Sequence, residues 1–177
     1  MSDHQMSRFY ETFLNLMASV IRDHNGIVAK NIGDALLFYF PSTKSVNKDE
    51  IHKAMNCCIE LSEAHDKLNQ IMSDEDLPKC DYRISATYGL VRIANIATSY
   101  VNDIFGPTVN RCSKINSFAP YNQVVVGEAL YEIIKMNKDY TITLIQTDPE
   151  RNENNFKVFC VRRNVMDKIT TLDNQGQ

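Results

Sequence analysis

Two charged residues, Lys30 and Asp34, interrupt the stretch IVAKNIGDALLFYF (Ile27–Phe40), which is otherwise built for a protein interior. Its two apolar runs, Ile27–Ile32 and Ala35–Phe40, meet at Gly33-Asp34. Both runs are rich in β-branched and aromatic residues, and Gly-Asp is a pair that closes a tight hairpin. Such a turn holds the Asp34 carboxylate at its tip, clear of the buried faces on either side. Lys30 stands in the first run where an apolar residue is expected. An ammonium and a carboxylate on a core-type hairpin mark it as a candidate site. The local alternative, an ordinary turn aspartate and a lysine on the solvent face of a half-buried strand, requires only turn chemistry. A second stretch, NDIFGPTVNRCSKINS (Asn102–Ser117), carries Asp103, then Asn110 and Lys114 one helical turn apart. Taken singly, Asn110 and Lys114 read equally well as a solvated helix surface.

The elements that position these residues follow from periodicity. Ser7–His24 places Phe9, Phe13, Leu16, Met17, Val20 and Ile21 at helical spacing, and Asn25-Gly26 supplies a left-handed stop. After the hairpin, which Pro41 closes, Lys48–Met72 reads as one long helix with Ile51, Met55, Cys58, Leu61, His65, Leu68 and Met72 in a stripe. Tyr82–Val91 alternates as a half-buried strand with Ile84, Ala86, Tyr88 and Leu90 inward, while Arg92–Phe105 fits no single pattern. Gly106-Pro107 opens a helix through Phe118, with Pro107 where the first turn tolerates it. Gln123–Val126 is a strand, Glu128–Met136 a helix, and Tyr140–Gln146 with Phe156–Arg162 a terminal strand pair. This order predicts an α+β fold, a mainly antiparallel sheet with helices on one side. Its core resembles a ferredoxin-like β-α-β-β-α-β unit whose first strand is missing, since the chain begins within a few residues of its first helix. Residues 1–163 are assigned to one domain and 164–177 to a polar, loose tail.

Composition narrows the class. The 177 residues suit a single core, and a formal charge of −3 gives no electrostatic pull toward nucleic acid or acidic membrane. No apolar run is long enough to span a bilayer, and MSDHQMSR is no signal peptide. The five cysteines are odd in number and lack metal-ligand spacing, so they read as reduced thiols of a cytoplasmic protein, with Cys58 and Cys112 in the core. His52 and His65 flank a helix rather than bind metal.

Together, KNIGD at Lys30–Asp34 and the segment from Asp103 through Val109-Asn110 to Lys114 resemble the catalytic domain of class III nucleotidyl cyclases, the adenylyl and guanylyl cyclase family. Gln123–Val126 matches the next family strand, and the likeness runs from Met6 to about Glu132. The resemblance implies attack of the ribose 3′-hydroxyl of ATP on its own α-phosphorus, giving cyclic AMP and pyrophosphate. It implies two divalent metal ions, Mg²⁺ or Mn²⁺, one of them held by Asp34. Lys30 and Asp103 match the pair that selects adenine, Asn110 the residue that orients ribose, and Lys114 the position of the transition-state arginine. It further implies a head-to-tail homodimer in which each site draws on both chains.

Where the sequence departs from the family pattern, specific consequences are expected. The first metal-binding aspartate belongs to a strand that would precede Met1, so the reading frame is expected to extend upstream and encode it. Lys114 keeps the charge of arginine without its planar fork. Leu144–Lys157 has no Lys-Gly, leaving Lys157 as the substitute for the triphosphate-binding lysine, and alanine replaces family glycines around 94–97. Two other readings stand beside the enzyme: a cyclase-like domain without catalysis that binds nucleotide or pairs with a partner, and a ferredoxin-like small-ligand domain with an accidental motif match.

Overall fold

The computed structural model describes residues 1–41, 47–94, 103–147 and 157–164. Helix α1 (Asp3–Asp23) starts earlier than periodicity predicted, because Ser2 and Gln5 form a reciprocal capping box that satisfies the first free amides. It stops at Asn25, whose φ of 62° is left-handed, and Gly26 follows where an added Cβ would lie 2.6 Å from Ile21 Cγ2. Strands β1 (Ile27–Ile32) and β2 (Ala35–Tyr39) form the expected hairpin, with Gly33 at φ 62° in its turn. The predicted single long helix is two: α2 (Lys48–Glu63) and α3 (His65–Asp74). They join at Ala64, where ψ relaxes to −7° without glycine or proline, while the Ala64 amide still donates to the Glu60 carbonyl.

Strand β3 (Ile84–Ala86) is much shorter than the alternating stretch suggested. Leu90, expected inward, is 83% exposed. Residues Arg92–Phe105, ambiguous in sequence, contribute an antiparallel pair, β4 (Arg92–Ala94) and β5 (Asp103–Phe105). Then come α4 (Pro107–Asn116), β6 (Val124–Gly127), α5 (Glu128–Ile134), β7 (Tyr140–Thr147) and β8 (Lys157–Arg163). The main sheet runs β3-β6-β8-β7, with β3 parallel to β6 and the remaining pairs antiparallel. The fold is α+β, as the element order predicted. Among the described residues β2 pairs only with β1 and β3 only with β6, so no strand joins the hairpin to the main sheet. The tail assigned to 164–177 lies outside the described residues except Asn164, whose amide donates to the Asp139 carbonyl.

One core serves both sheets. Met17, Val20 and Ile21 of α1, Ile51, Met55 and Leu61 of α2, and Leu68 and Met72 of α3 are buried together with Ile84, Val124, Val126 and Val161 of the strands. Leu36 and Phe38 of the hairpin pack against the same cluster. Cys58 lies in this core as expected, whereas Cys112 is half-buried. Burial pushes the Cys57 thiol up to about 12 and raises Cys58 and Cys112 as well, which keeps these groups protonated and unreactive. All five cysteines are free thiols. No helix of the described residues is long and apolar enough to cross a membrane.

Candidate active site

Lys30 reaches the site through a fault in its own strand. The β1–β2 register pairs Val28 with Phe38 but Lys30 with Leu37, so Ala29 is the extra residue of a β-bulge. The shift turns Lys30 to the face opposite Val28 and Phe38, which pack toward the core. A lysine among apolar neighbours is thereby carried out of the interior, and Ala29, 1% exposed, fills the space the bulge creates. The Lys30 ammonium lies 2.7 Å from Asp103 Oδ1 and 2.9 Å from Oδ2. The two residues stand 73 positions apart in sequence.

Asp103 begins β5 opposite Ala94, a small residue that leaves room beside the carboxylate, while buried Ile104 anchors the strand. Only Oδ2 accepts an aligned hydrogen bond from Lys30. Oδ1 is buried, with an ionic contact to the ammonium but no hydrogen bond. Each carboxylate oxygen keeps a further lone pair beyond its contact with the ammonium, so the pair can still accept from a donor. Both side chains remain about a third exposed, 39% and 32%, so their attraction contributes about 0–1 kcal/mol to stability.

Helix α4 follows β5 through Gly106, whose φ of 131° suits glycine alone, and starts with Pro107 at its first turn. Its inner face is tied down. Ile115 is fully buried among Ala119, Val125 and Val158. Asn116 donates to Ser85 Oγ at 3.0 Å, Ser85 Oγ donates to the Cys112 carbonyl at 3.1 Å, and Thr108 Oγ1 donates to the Leu90 carbonyl at 2.7 Å. This fastening fixes which way the outer face looks. Asn110 and Lys114 are both exposed there, and neither side chain has a protein partner among the described residues.

Asp34 occupies the hairpin turn, exposed and without a partner among the described residues, as the Gly-Asp signal predicted. It is not brought into contact with Lys30, Asp103, Asn110 or Lys114 in the single chain. No group of three or more His, Cys, Asp or Glu able to hold a metal ion occurs among the described residues. One free carboxylate fits a magnesium ion that keeps most of its ligands from water and substrate phosphates. It does not fit two protein-held ions, and a second carboxylate for such a pair is missing from the described residues. Lys157, the substitute for a triphosphate-binding lysine, donates instead to Glu128 Oε1 at 2.9 Å, a contact that raises its pKa. Of the positions around 94–97, only Ala94 is described.

One cation on the outer face of α4 escaped the motif reading. Arg111 is exposed beside Asn110 and, like Arg92, lacks any partner among the described residues. Its spacing of three from Lys114 was the available signal, since residues three apart are surface neighbours on a helix.

Comparison with known proteins identifies the family. The model of the family described as adenylate and guanylate cyclase catalytic domain matches residues 1–162. An adenylate cyclase of Streptomyces coelicolor is 25% identical over 139 residues, which is 78% of this chain and 31% of that protein. The chain therefore spans about a third of the length of that relative. The crystal structure of the adenylyl cyclase CyaB from P. aeruginosa superposes with a TM-score of 0.76 at 18% identity, covering 99% of this chain and 88% of that one. A dimeric guanylyl cyclase domain from the aquatic fungus Blastocladiella emersonii gives 0.77 at 17% identity, covering 92% and 86%. At such identities these two likenesses concern the fold. The family match covers nearly the whole chain, which sets aside an accidental motif, and the chain belongs to the adenylate and guanylate cyclase catalytic domain family.

Proposed function

We propose that the domain is an adenylyl cyclase, converting ATP to cyclic AMP and pyrophosphate in the cytoplasm. The observation that carries the choice of base is the Lys30–Asp103 pair, an ammonium donor held beside a carboxylate acceptor. Adenine offers an exocyclic amine, a donor, next to a ring-nitrogen acceptor. A carboxylate oxygen of Asp103 takes the amine, and the adjacent ammonium donates to the ring nitrogen. Guanine presents a carbonyl and a ring N–H at the same positions, so each contact would set like against like and leave buried groups unpaired.

In the reaction the ribose O3′ forms a bond to the α-phosphorus, the bond from that phosphorus to the bridging oxygen breaks, and the hydroxyl proton passes to solvent. Charge builds on the phosphoryl oxygens and the departing pyrophosphate. Asn110 orients the ribose, and Lys114 offsets the developing charge from one turn along α4. A divalent cation, Mg²⁺ or Mn²⁺, supplies Lewis-acid stabilisation of the same charge, and Asp34 contributes a carboxylate to it. Among the described residues, Asp34 has no hydrogen bond or ion pair with Asn110 or Lys114 of its own chain, which fits a site shared across a head-to-tail homodimer.

The test is a direct assay of cyclic nucleotide formation with ATP and with GTP, in magnesium and in manganese, across protein concentration. ATP is expected to be preferred by at least about tenfold, the range that one mismatched polar contact produces. Preference for GTP would overturn the base assignment. Specific activity independent of concentration down to a demonstrated monomer would overturn the shared site.

A further inference from the structure

We propose that Arg111 is a second phosphate-gripping cation of this site, acting with Lys114 as a two-pronged clamp on the polyphosphate of the nucleotide. The inference rests on the nucleotide reading above, but it turns on different atoms. At 100° per residue, Asn110, Lys114 and Arg111 fall within about 100° of one another on α4. The opposite side of the helix carries Cys112, Ile115 and Asn116, the residues fastened to β3 and the core. Asn110 and Lys114 consequently share the face turned away from the protein, and exposed Arg111 stands on its flank, about 60° round the helix from Lys114.

The charges on that face are uncompensated. Arg8 pairs with Glu75, Arg163 with Glu63 and Arg162 with the Gln123 side-chain oxygen, while Arg83 lies over the Tyr121 ring. Arg111 has no such contact among the described residues, and neither has Lys114. Like charges at this spacing repel by several tenths of a kcal/mol. An anion seated between them replaces that repulsion with two attractions.

The kind of anion follows from the donors. A guanidinium grips two phosphate oxygens through its planar fork, and an ammonium adds a point charge beside it. Asn110 adds an amide that bonds a hydroxyl or a further oxygen. Two cations and an amide on one turn and a half of helix match a di- or triphosphate chain better than a single carboxylate. Lys114 stands where the family resemblance leads one to expect arginine, and Arg111, three residues earlier, supplies the fork that lysine lacks.

The test uses the full chain and the variants Arg111→Ala, Arg111→Lys, Arg111→Ala/Lys114→Arg and, as a control on α1, Arg22→Ala. Binding of inorganic pyrophosphate with magnesium is measured by titration calorimetry, alongside steady-state kinetics with ATP and circular dichroism to confirm folding. Arg111→Ala is expected to weaken pyrophosphate binding about tenfold and to lower kcat/KM by at least as much, the loss of one charge-assisted hydrogen bond. Arg111→Lys should recover part of this, and Lys114→Arg in the alanine background should recover more, because it restores a fork to the same face. Arg22→Ala should match the parent. A folded Arg111→Ala protein with parental pyrophosphate affinity overturns the clamp, as does a parent that does not bind pyrophosphate. If GTP proves the better substrate while Arg111→Ala still loses pyrophosphate binding, the adenine assignment fails and the clamp stands.

Discussion

Asp34 is the residue on which turnover should depend most steeply. Its carboxylate has no partner among the described residues and stands at a glycine-defined turn, so its replacement removes the proposed ligand without disturbing packing. Asp34→Ala is expected to lower kcat about a thousandfold, the loss of several kcal/mol of charge stabilisation at the reacting phosphorus. Manganese titration of both proteins provides the check; near-parental turnover in the variant would remove Asp34 from the metal site. At this scale the sequence was informative where a residue type contradicts its surroundings. Lys30 stood out among apolar neighbours, and Gly33-Asp34 named its own turn. The bulge at Ala29, which turns the lysine to its working face, was illegible, because a register shift depends on both strands and leaves no mark on either alone. Arg111 went unremarked for the opposite reason: a surface arginine is ordinary until the structure shows that no described residue neutralises it.

Among the elements, the α1–β1 corner is the least tolerant of change. A Cβ on Gly26 would meet Ile21 Cγ2 at 2.6 Å, the Ile21 carbonyl at 3.0 Å and the Phe40 ring at 3.0 Å. Gly26→Ala should therefore cost about 1–3 kcal/mol through overpacking. Gly33 has open space around it and a left-handed φ, so Gly33→Asn should cost less than about 1 kcal/mol. Thermal or urea unfolding of the two variants distinguishes them, and equal losses would contradict the packing argument. Long periodic segments were legible in the sequence, whereas boundaries set by side-chain chemistry were not. The Ser2–Gln5 capping box carries α1 past its apolar stripe, and the relaxed ψ at Ala64 divides a stripe that runs unbroken from Ile51 to Met72. The Tyr82–Val91 alternation overstated β3, since apolar spacing cannot show where a pairing partner ends. Strands β4 and β5 fell below detection because three residues hold too little periodicity to read.

At the scale of the whole molecule, a polar knot around Asp81 is expected to respond to acid. Asp81 accepts from Asn122 Nδ2 at 2.7 Å and lies 2.9 Å from His65 Nε2, while Asn122 Oδ1 accepts from the Tyr82 amide. The Asn122 hydrogen bond, followed by that of His65, holds the Asp81 carboxyl below its ordinary value of 3.8. A carboxyl depressed on folding contributes stability that is present above its unfolded value and lost as pH falls through the folded one. The stability difference between the parent and Asp81→Asn should consequently narrow below about pH 4. Melting temperatures across the acid range test this, and a gap that stays constant would separate Asp81 from the acid response. The family assignment itself was legible from two motifs and their order, because each sits on an element whose type the local sequence specifies.

If the proposed site assignment holds, the pairing of Lys30 with Asp103 also divides the response to ionic strength between two ends of the ligand. At the base end the protein presents an ammonium and a carboxylate that already cancel, so docking a neutral purine displaces almost no counterions there. At the proposed phosphate end, Arg111 and Lys114 present charge that no described residue balances, so mobile ions there would depart when a polyphosphate arrives. Competition by adenosine should accordingly change little as salt rises, whereas the apparent affinity for ATP should fall steadily, since screening acts on exposed charge over a Debye length of about 10 Å at 0.1 M. Inhibition constants for adenosine and KM for ATP, measured over the same salt series, would read the two ends separately. Parallel salt slopes would mean that the ion pair opens before the base enters.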